Sequence, residues 1–315
     1  FGEIAMYCIG LDIGGTKCAV SLGRLGEKIE IAERYEVPTL SSPEATLEKL
    51  SGETEKFLKN AEIEAIGISC GGPLDSEKGV ILTPPNLPGW HGFPVAEYLE
   101  KRYRVKAFLQ NDANACALAE WKYGGGRGAS NMIFLTFGTG LGAGLILNGK
   151  LYEGANGNAG EAGHIRLAPN GPFGYGKYGS FEGFCSGGGI AGLAEVMARR
   201  RKKLPQCIVE AGGRITTKQL AERAFAGDTF AKRVFAKSGE MLGRGVSILI
   251  DLFNPEKIVL GGVFMRSREL LEPAMYETIE KEALPDCYRV CKIVPAELKE
   301  NIGDYAALCV AGSKR

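Results

Sequence analysis

Four groups of residues have the types and spacing that chemistry requires. Asp12-Ile13-Gly14-Gly15-Thr16-Lys17 lies between two strand-like runs, and its glycines would let backbone N–H groups face a bound anion. It is not a Walker A loop, in which GxxxxGK and then Ser or Thr open a helix, because a strand pattern follows GGTK here. A glycine hairpin turn with a hydrogen-bonding Asp is the other reading of the same residues. Gly138-Thr139-Gly140-Leu141-Gly142-Ala143 matches the dinucleotide fingerprint letter for letter, but that fingerprint must open a helix and GLILNGKLY, which follows, is strand-like. Two such loops could grip the phosphates of one nucleotide, or each could be a flexible hairpin. Asn111-Asp112 stands where a strand pattern gives way to a helix pattern, and both residue types are favoured N-caps. The functional alternative makes Asp112 a general base at the C-terminal end of a strand, where open α/β sheets hold their ligands. A helix N-terminus would keep it ionised, able to take a hydroxyl proton as bond formation acidifies it. Glu161, His164 and Glu182 add carboxylates and one of two histidines, in a pattern equally open to surface or structural roles; His91, beside Trp90, reads as structural.

These residues need elements to hold them. MYCIGLDIGGTKCAVSL (6 to 22) reads as two short strands around a turn, and KIEIAERYEV as a third. Leu47, Leu50, Phe57 and Leu58 recur at helical spacing between Pro43 and Asn60. AIGISC (65 to 70) is a continuous apolar run suited to a sheet covered on both faces, broken by Gly71-Gly72-Pro73. VKAFLQ then runs into Asn111-Asp112 and the helix pattern ANACALAEWKY. Residues 132–151 suggest paired strands, and 154–189 form a long glycine-rich, helix-poor stretch of a kind that is usually functional. Helical patterns follow at 190–203, 217–226, 229–252 and 267–283, with KIVLGGV (257 to 263) a buried strand among them. The likeness of LDIGGTK to TFGTGLG hints at an internal duplication and at two α/β domains facing a cleft.

Composition narrows the class. The chain has 315 residues, of which 45% are hydrophobic and 24% charged, the balance of a folded globular protein rather than a disordered or membrane one. At ~150 residues per domain, two domains are expected. Its 38 Lys and Arg against 37 Asp and Glu give a net charge of +1, far from a dedicated nucleic-acid binder, so a small-molecule partner is expected and neither nucleic acid nor membrane. RRRKK (199 to 203) ends a helical pattern, where cations complement the dipole. Nine scattered cysteines without a CxxC pair suit reduced, buried thiols and a cytoplasmic location, with no secretory leader. Phe1 to Ala5 stand ahead of Met6 as a candidate non-native segment. Glycine is the outlier: 45 residues, about 14% against a usual ~7%.

Taken together, these motifs resemble the ROK family of repressors and sugar kinases, within the actin, Hsp70 and sugar-kinase clan. LDIGGTK resembles its first phosphate loop, ISCGGPLD and TPPNLPGW its sugar-binding segments, and QNDANACALAE its catalytic segment. FGTGLGAGLILNGKLYEGANGNAGEAGHI (137 to 165) is close to the family signature, EGFCSGGGI fits a further family segment, and IVLGGV resembles the turn near the adenosine. The resemblance implies an α/β, two-domain actin-like ATPase (ribonuclease H-like) fold with a cleft between the domains. Residues 1–118, completed by a C-terminal helix at 303–315, would form the smaller domain and 119–302 the larger.

The same resemblance implies ATP-dependent phosphorylation of a hexose, usually at the 6-hydroxyl, with Asp112 as base. Gly72, Asn86, Asn111, Asp112, Glu161, His164 and Glu182 would hold the sugar. Asp12, Gly14, Gly15, Thr16, Lys17, Thr139 and Gly140 would surround the phosphates of ATP and Mg²⁺, with Gly261 and Gly262 near the adenosine. A homo-oligomer, dimer or tetramer, is implied as well. The family commonly carries a zinc loop, C-x-C-G-x-x-G-C-x-E. Phe173, Tyr175 and Ser180 stand at its three cysteine positions here, so no structural zinc is expected, and Phe173, Tyr175, Tyr178 and Phe181 are expected to order the loop as an aromatic cluster. A sugar-responsive transcriptional regulator and a non-catalytic sugar-binding protein remain the alternatives.

Overall fold

Alternation along the first strands decides what packs where. In β1 (Met6–Ile13), β2 (Lys17–Leu25), β3 (Ile29–Pro38) and β4 (Ile63–Cys70), successive side chains point to opposite faces of one sheet. Ile9, Leu11, Ile66 and Ile68 fall on the face covered by α1 (Pro43–Asn60) and α2 (Val95–Tyr103), against Leu47, Leu50, Phe57 and Leu99. Cys8 and Ala65 fall on the other, against Leu308 and Ala311 of the last helix. The computed structural model describes residues 6–313; Phe1 to Ala5 and the last two residues of the expected C-terminal helix lie outside the described residues.

The sheet order is β3-β2-β1-β4-β7 once the short β5 (Leu74–Asp75), β6 (Val80–Ile81) and then β7 (Ala107–Asn111) are counted. β1, β4 and β7 run parallel and end level, with Ile13 opposite Cys70 and Cys70 opposite Asn111. Their C-terminal ends therefore deliver Asp12, Gly71-Gly72 and Asn111-Asp112 to one edge. α3 (Asp112–Tyr123) follows without a linker.

The second sheet has the order β10-β9-β8-β13-β14, from β8 (Met132–Phe137), β9 (Leu141–Leu147), β10 (Lys150–Leu151), β13 (Lys257–Leu260) and β14 (Lys292–Pro295), with the two-stranded β11 (Phe173–Gly174) and β12 (Lys177–Tyr178) apart from it. Met132 to Leu135 and Ile258 to Leu260 are buried throughout, as the uninterrupted apolar runs require. The helices between are α4 (Phe181–Cys185), α5 (Gly187–Arg199), α6 (Gln206–Glu210), α7 (Thr217–Phe225), α8 (Thr229–Phe253), α9 (Val263–Glu282) and α10 (Pro285–Val290). A helical turn from Val263 precedes a kink at Ser267, whose φ of −123° and ψ of 20° are non-helical, so the long part of α9 begins at the expected position, while the strand stops at Leu260 rather than 263. Gly262 turns the chain at φ +66°, where a Cβ would meet the Phe137 carbonyl at 2.2 Å.

Contacts divide the chain into two units: Phe1–Gly128 with Gly144–Ala159 and Glu297–Arg315, and Ala129–Ala143 with Gly160–Ala296. This grouping keeps the whole of α3 in the first unit. There α11 (Ile302–Ser313) lies on the first sheet over Gly10, Gly23 and Gly67. A Cβ on Gly67 would stand 2.0 Å from the Ala307 carbonyl, with backbone on both sides. Gly67→Ala is therefore expected to cost ~1–3 kcal/mol, read as a lowered urea midpoint with unchanged m-value.

No disulfide joins any of the nine cysteines, and seven are buried. Among the described residues no helix is long and apolar enough to cross a membrane.

Candidate active site

In the first unit, the turn 14–16 is closed by Gly14 N–H donating to the Lys17 carbonyl at 3.0 Å. Thr39 holds it from behind: its hydroxyl donates to the Gly14 carbonyl at 2.6 Å and its N–H to that of Thr16 at 3.0 Å. Gly15 is obligatory, since a Cβ would meet the Asn86 carbonyl at 2.6 Å, and this same contact brings Asn86 to the loop. Thr16, Lys17 and Asn86 are exposed, and Lys17 pairs with Glu36 at 2.9 Å.

At the end of β7, Asn111 rather than Asp112 caps the helix. The Asn111 side chain accepts from the N–H groups of Ala113 and Asn114 at 3.0 and 3.4 Å, and its Nδ2 lies 3.2 Å from a Cβ built on Gly72. Asp112 is exposed and accepts from Ala113 N–H at 2.8 Å through Oδ1; its Oδ2 is 3.8 Å from a Cβ built on Gly71. Gln110 sets this corner. Its Oε1 accepts from Asn111 N–H at 2.8 Å, and its amide donates to Glu153, which also accepts from Ser76, both at 2.9 Å.

Asp12 carries the unit's clearest electrostatic signature. Burial, reinforced by the Asp304 and Asp112 carboxylates and opposed by Arg34 and Lys17, pushes its carboxyl up to about 7. Asp304, in the first turn of α11, is buried; Oδ2 accepts from Arg34 Nε at 2.8 Å, while Oδ1 has no partner among the described residues. Gly303 makes room for Asp12, whose Oδ2 would be 2.4 Å from a Cβ there. The sequence reading assigned a helix to this segment and no role; the only signal was an Asp in an otherwise apolar helix, GDYAALCVAG.

In the second unit, Gly138 N–H donates to the Gly140 carbonyl at 3.0 Å, and Gly187 N–H, opening α5, donates to the Gly138 carbonyl at 2.9 Å. Gly187 and Gly188 tolerate this approach to Gly138 and Thr139 because they lack side chains, so the GGG run belongs to the loop's surroundings, a role the sequence reading did not give it. Gly261-Gly262 abuts the same strand through Phe134 and Phe137. Glu182 Oε2 accepts from Leu141 N–H at 3.0 Å and stands 2.6 Å from a Cβ built on Gly140, so it braces the second glycine loop. The signature glycines Gly160 and Gly163 seat the 160–164 segment against the carbonyls of Ala143 and Leu141.

Glu161 and His164 meet at Tyr175. The phenol donates to Glu161, and the His164 ring packs edge-on to Tyr175 with centroids 4.9 Å apart. Burial and then Glu161 push the phenol well above its usual range, keeping it a donor. The expected single aromatic cluster is replaced by separate pairs. Phe173 and Tyr178 face each other across the β11–β12 hairpin yet are 61% and 62% exposed, whereas Phe181 enters the core against Phe137. Cross-strand register puts the first two side by side on the solvent face.

These residues do not fit zinc. Ser180 is engaged as donor to the Gly174 carbonyl and cap for Gly183, Cys185 donates to the Ser238 carbonyl in the core, and Phe173 offers no ligand. Among the described residues no group of three or more His, Cys, Asp or Glu is arranged around a metal position. Activity is expected to survive prolonged chelation once Mg²⁺ is restored; stoichiometric zinc whose removal abolishes turnover would contradict this. Tyr175→Phe is expected to lower the melting temperature, since it removes the phenol's hydrogen bond to the Glu161 carboxylate and a hydrogen bond to a charged group contributes ~1.5–3 kcal/mol.

Mg²⁺ does fit. It usually binds through one or two carboxylates plus substrate phosphates, not an all-protein cage, and Asp12 offers such a carboxylate beside excess negative charge.

The sequence matches the ROK family over residues 8–312. It is 31% identical over 306 residues to a glucokinase of Thermotoga maritima, covering 96% of each chain. It is 30% identical over 313 residues to the DNA-binding transcriptional dual regulator NagC of Escherichia coli, covering 95% of this chain and 74% of that one. Among solved structures, a ROK hexokinase from Thermus thermophilus superposes with a TM-score of 0.80 at 30% identity and 98% coverage of both chains. A ROK family glucokinase from Streptomyces griseus in complex with glucose and AMPPNP gives 0.76 at 29% identity, covering 96% of this chain and 98% of that one.

Proposed function

Because the chain belongs to the ROK family, we propose that it is an ATP-dependent sugar kinase acting on a hexose hydroxyl, the 6-hydroxyl of glucose or a close relative, with Asp112 as general base. The observation that carries this reading is the division of labour at the end of β7. Asn111 satisfies the helix N-terminus, so capping does not require the Asp112 carboxylate, which stands exposed at a helix end that favours its ionised form.

In the proposed reaction the sugar oxygen forms a bond to the γ-phosphorus of ATP, the bond from that phosphorus to the bridging oxygen breaks, and Asp112 takes the hydroxyl proton. Asn111 has its carbonyl oxygen committed to backbone N–H groups, leaving the amide nitrogen as a donor to a hydroxyl. Asn86, Glu161 and His164 hold the remaining hydroxyls, with Gly72 allowing close approach. Glu182 acts through Gly140 as well as on the sugar. Gly14, Gly15, Thr16 and Lys17, with Thr139 and Gly140, receive the phosphates, and Gly261-Gly262 lies by the adenosine. Mg²⁺, held by Asp12 and the phosphates, supplies charge neutralisation for phosphoryl transfer.

A coupled ADP-release assay over glucose, fructose, allose, N-acetylmannosamine and β-glucosides tests the proposal. Turnover that requires ATP, Mg²⁺ and one of these sugars is expected. Sugar binding by calorimetry without ADP release would reject it in favour of a regulator like NagC.

A further inference from the structure

A cavity lies wholly within the second unit, among the 168–171 loop, α5 and α8, with a volume of about 440 Å³. That is the size range of small-molecule sites. Its floor is apolar, built from Phe184, Leu193 and Met241, each nearly inaccessible. Gly171 closes one wall, where a Cβ would strike the Phe184 ring at 2.4 Å.

The rim is cationic. Arg200, Arg233, Lys237 and Arg244 line the cavity and no carboxylate does. Lys237 and Arg244 share one acid, Glu240, at 2.8 and 3.1 Å. Arg233 uses only Nε, towards the Thr229 carbonyl, and Arg200 has no ion pair among the described residues. Arg244 Nε is buried with no hydrogen-bond partner among the described residues. The neighbouring groove between α8 and α9 sets Lys237, Arg244 and Lys281 against Glu240, Glu277 and Glu282, and so selects no charge. Charge and shape thus converge at the cavity beside α5 and not at this groove.

We propose that this cavity binds a small organic anion with an apolar body, an aryl or short acyl phosphate or carboxylate. The body would lie on Phe184, Leu193 and Met241. The head group would take the free guanidinium donors, whose planar fork matches carboxylate and phosphate oxygens. The inference uses none of the residues assigned to sugar or ATP.

Titration calorimetry with phenyl phosphate and with inorganic phosphate tests it, on the intact chain with a non-hydrolysable ATP analogue at saturation. One phenyl phosphate per chain is expected, bound at least about tenfold more tightly than inorganic phosphate. Arg200→Gln with Arg233→Gln, both at the surface, is expected to weaken it at least about tenfold, the scale of charge-assisted hydrogen bonds. Val196→Trp, which fills the cavity, is expected to abolish it, with unchanged melting confirming the fold. Equal affinity for the two ions, binding indifferent to Val196→Trp, or no saturable binding would overturn the proposal. So would a dimer that Val196→Trp dissociates in the absence of any phenyl phosphate binding, which would give this face to a second copy of the chain.

Discussion

Asp112→Asn is expected to lower turnover by ~10²–10⁴ while leaving the fold intact. The negative charge and with it proton acceptance are removed while the shape is kept: Asn retains an Oδ1 that can accept from Ala113 N–H, and the helix keeps its cap because Asn111 provides it. Stability should stay within about 0.5 kcal/mol, the range for exposed positions. Asn111→Ala reverses the pattern, since loss of the cap costs ~1 kcal/mol. Rate and melting temperature measured together on both variants separate base from cap. Turnover per folded molecule unchanged in Asp112→Asn would remove the base assignment and leave Asp112 a surface residue.

That contrast also marks how far the sequence could be read. QND at the end of an apolar run located the strand-to-helix junction, but two adjacent capping residues left open which one faces the backbone. Only the backbone path decides it, and it turns Asn111 inward. Both glycine loops were legible because GGTK and GTGLG lie between runs of alternating or continuous apolar residues. The end of β13 and the helical turn ahead of the Ser267 kink were not, because Gly261-Gly262 continues an apolar strand run and only the approach to Phe137 shows where the chain turns. Least legible were partnerships between distant segments. Nothing in the spacing of Tyr175 tells of Glu161 and His164, and the family loop pattern pointed to missing cysteines rather than to a phenol that braces the same two residues. Asp304 belongs with Asp12 because α11 returns to the first sheet across Gly10, Gly23 and Gly67, a consequence of packing that no local periodicity encodes.

Asp12 itself provides the second large effect. Burial, with the Asp304 and Asp112 carboxylates, pushes its carboxyl up to about 7 in the folded protein, against 3.8 for an unperturbed Asp. A folded-state pKa above the unfolded one means that the native protein holds the extra proton between those values. The associated stability is complete below about 4 and is lost as pH rises through 7. With ~1.4 kcal/mol per pH unit over the interval where the two states differ, the wild-type protein should lose ~3 kcal/mol from this group between pH 5 and pH 8.5. Asp12→Asn removes the titration while keeping the shape, so other groups cancel when the two proteins are compared. The variant should melt close to the wild type at pH 5 and clearly above it at pH 8.5. Mg²⁺ with an ATP analogue should narrow that gap at pH 8.5, because a cation at Asp12 offsets the charge that burial and Asp304 make costly, and the variant offers no such carboxylate. The price of holding a buried carboxylate beside Asp304 is then visible as instability of the unliganded protein in alkali. A melting difference that stays constant from pH 5 to 8.5 would mean that Asp12 is ionised throughout, and that Arg34 and Lys17 outweigh burial.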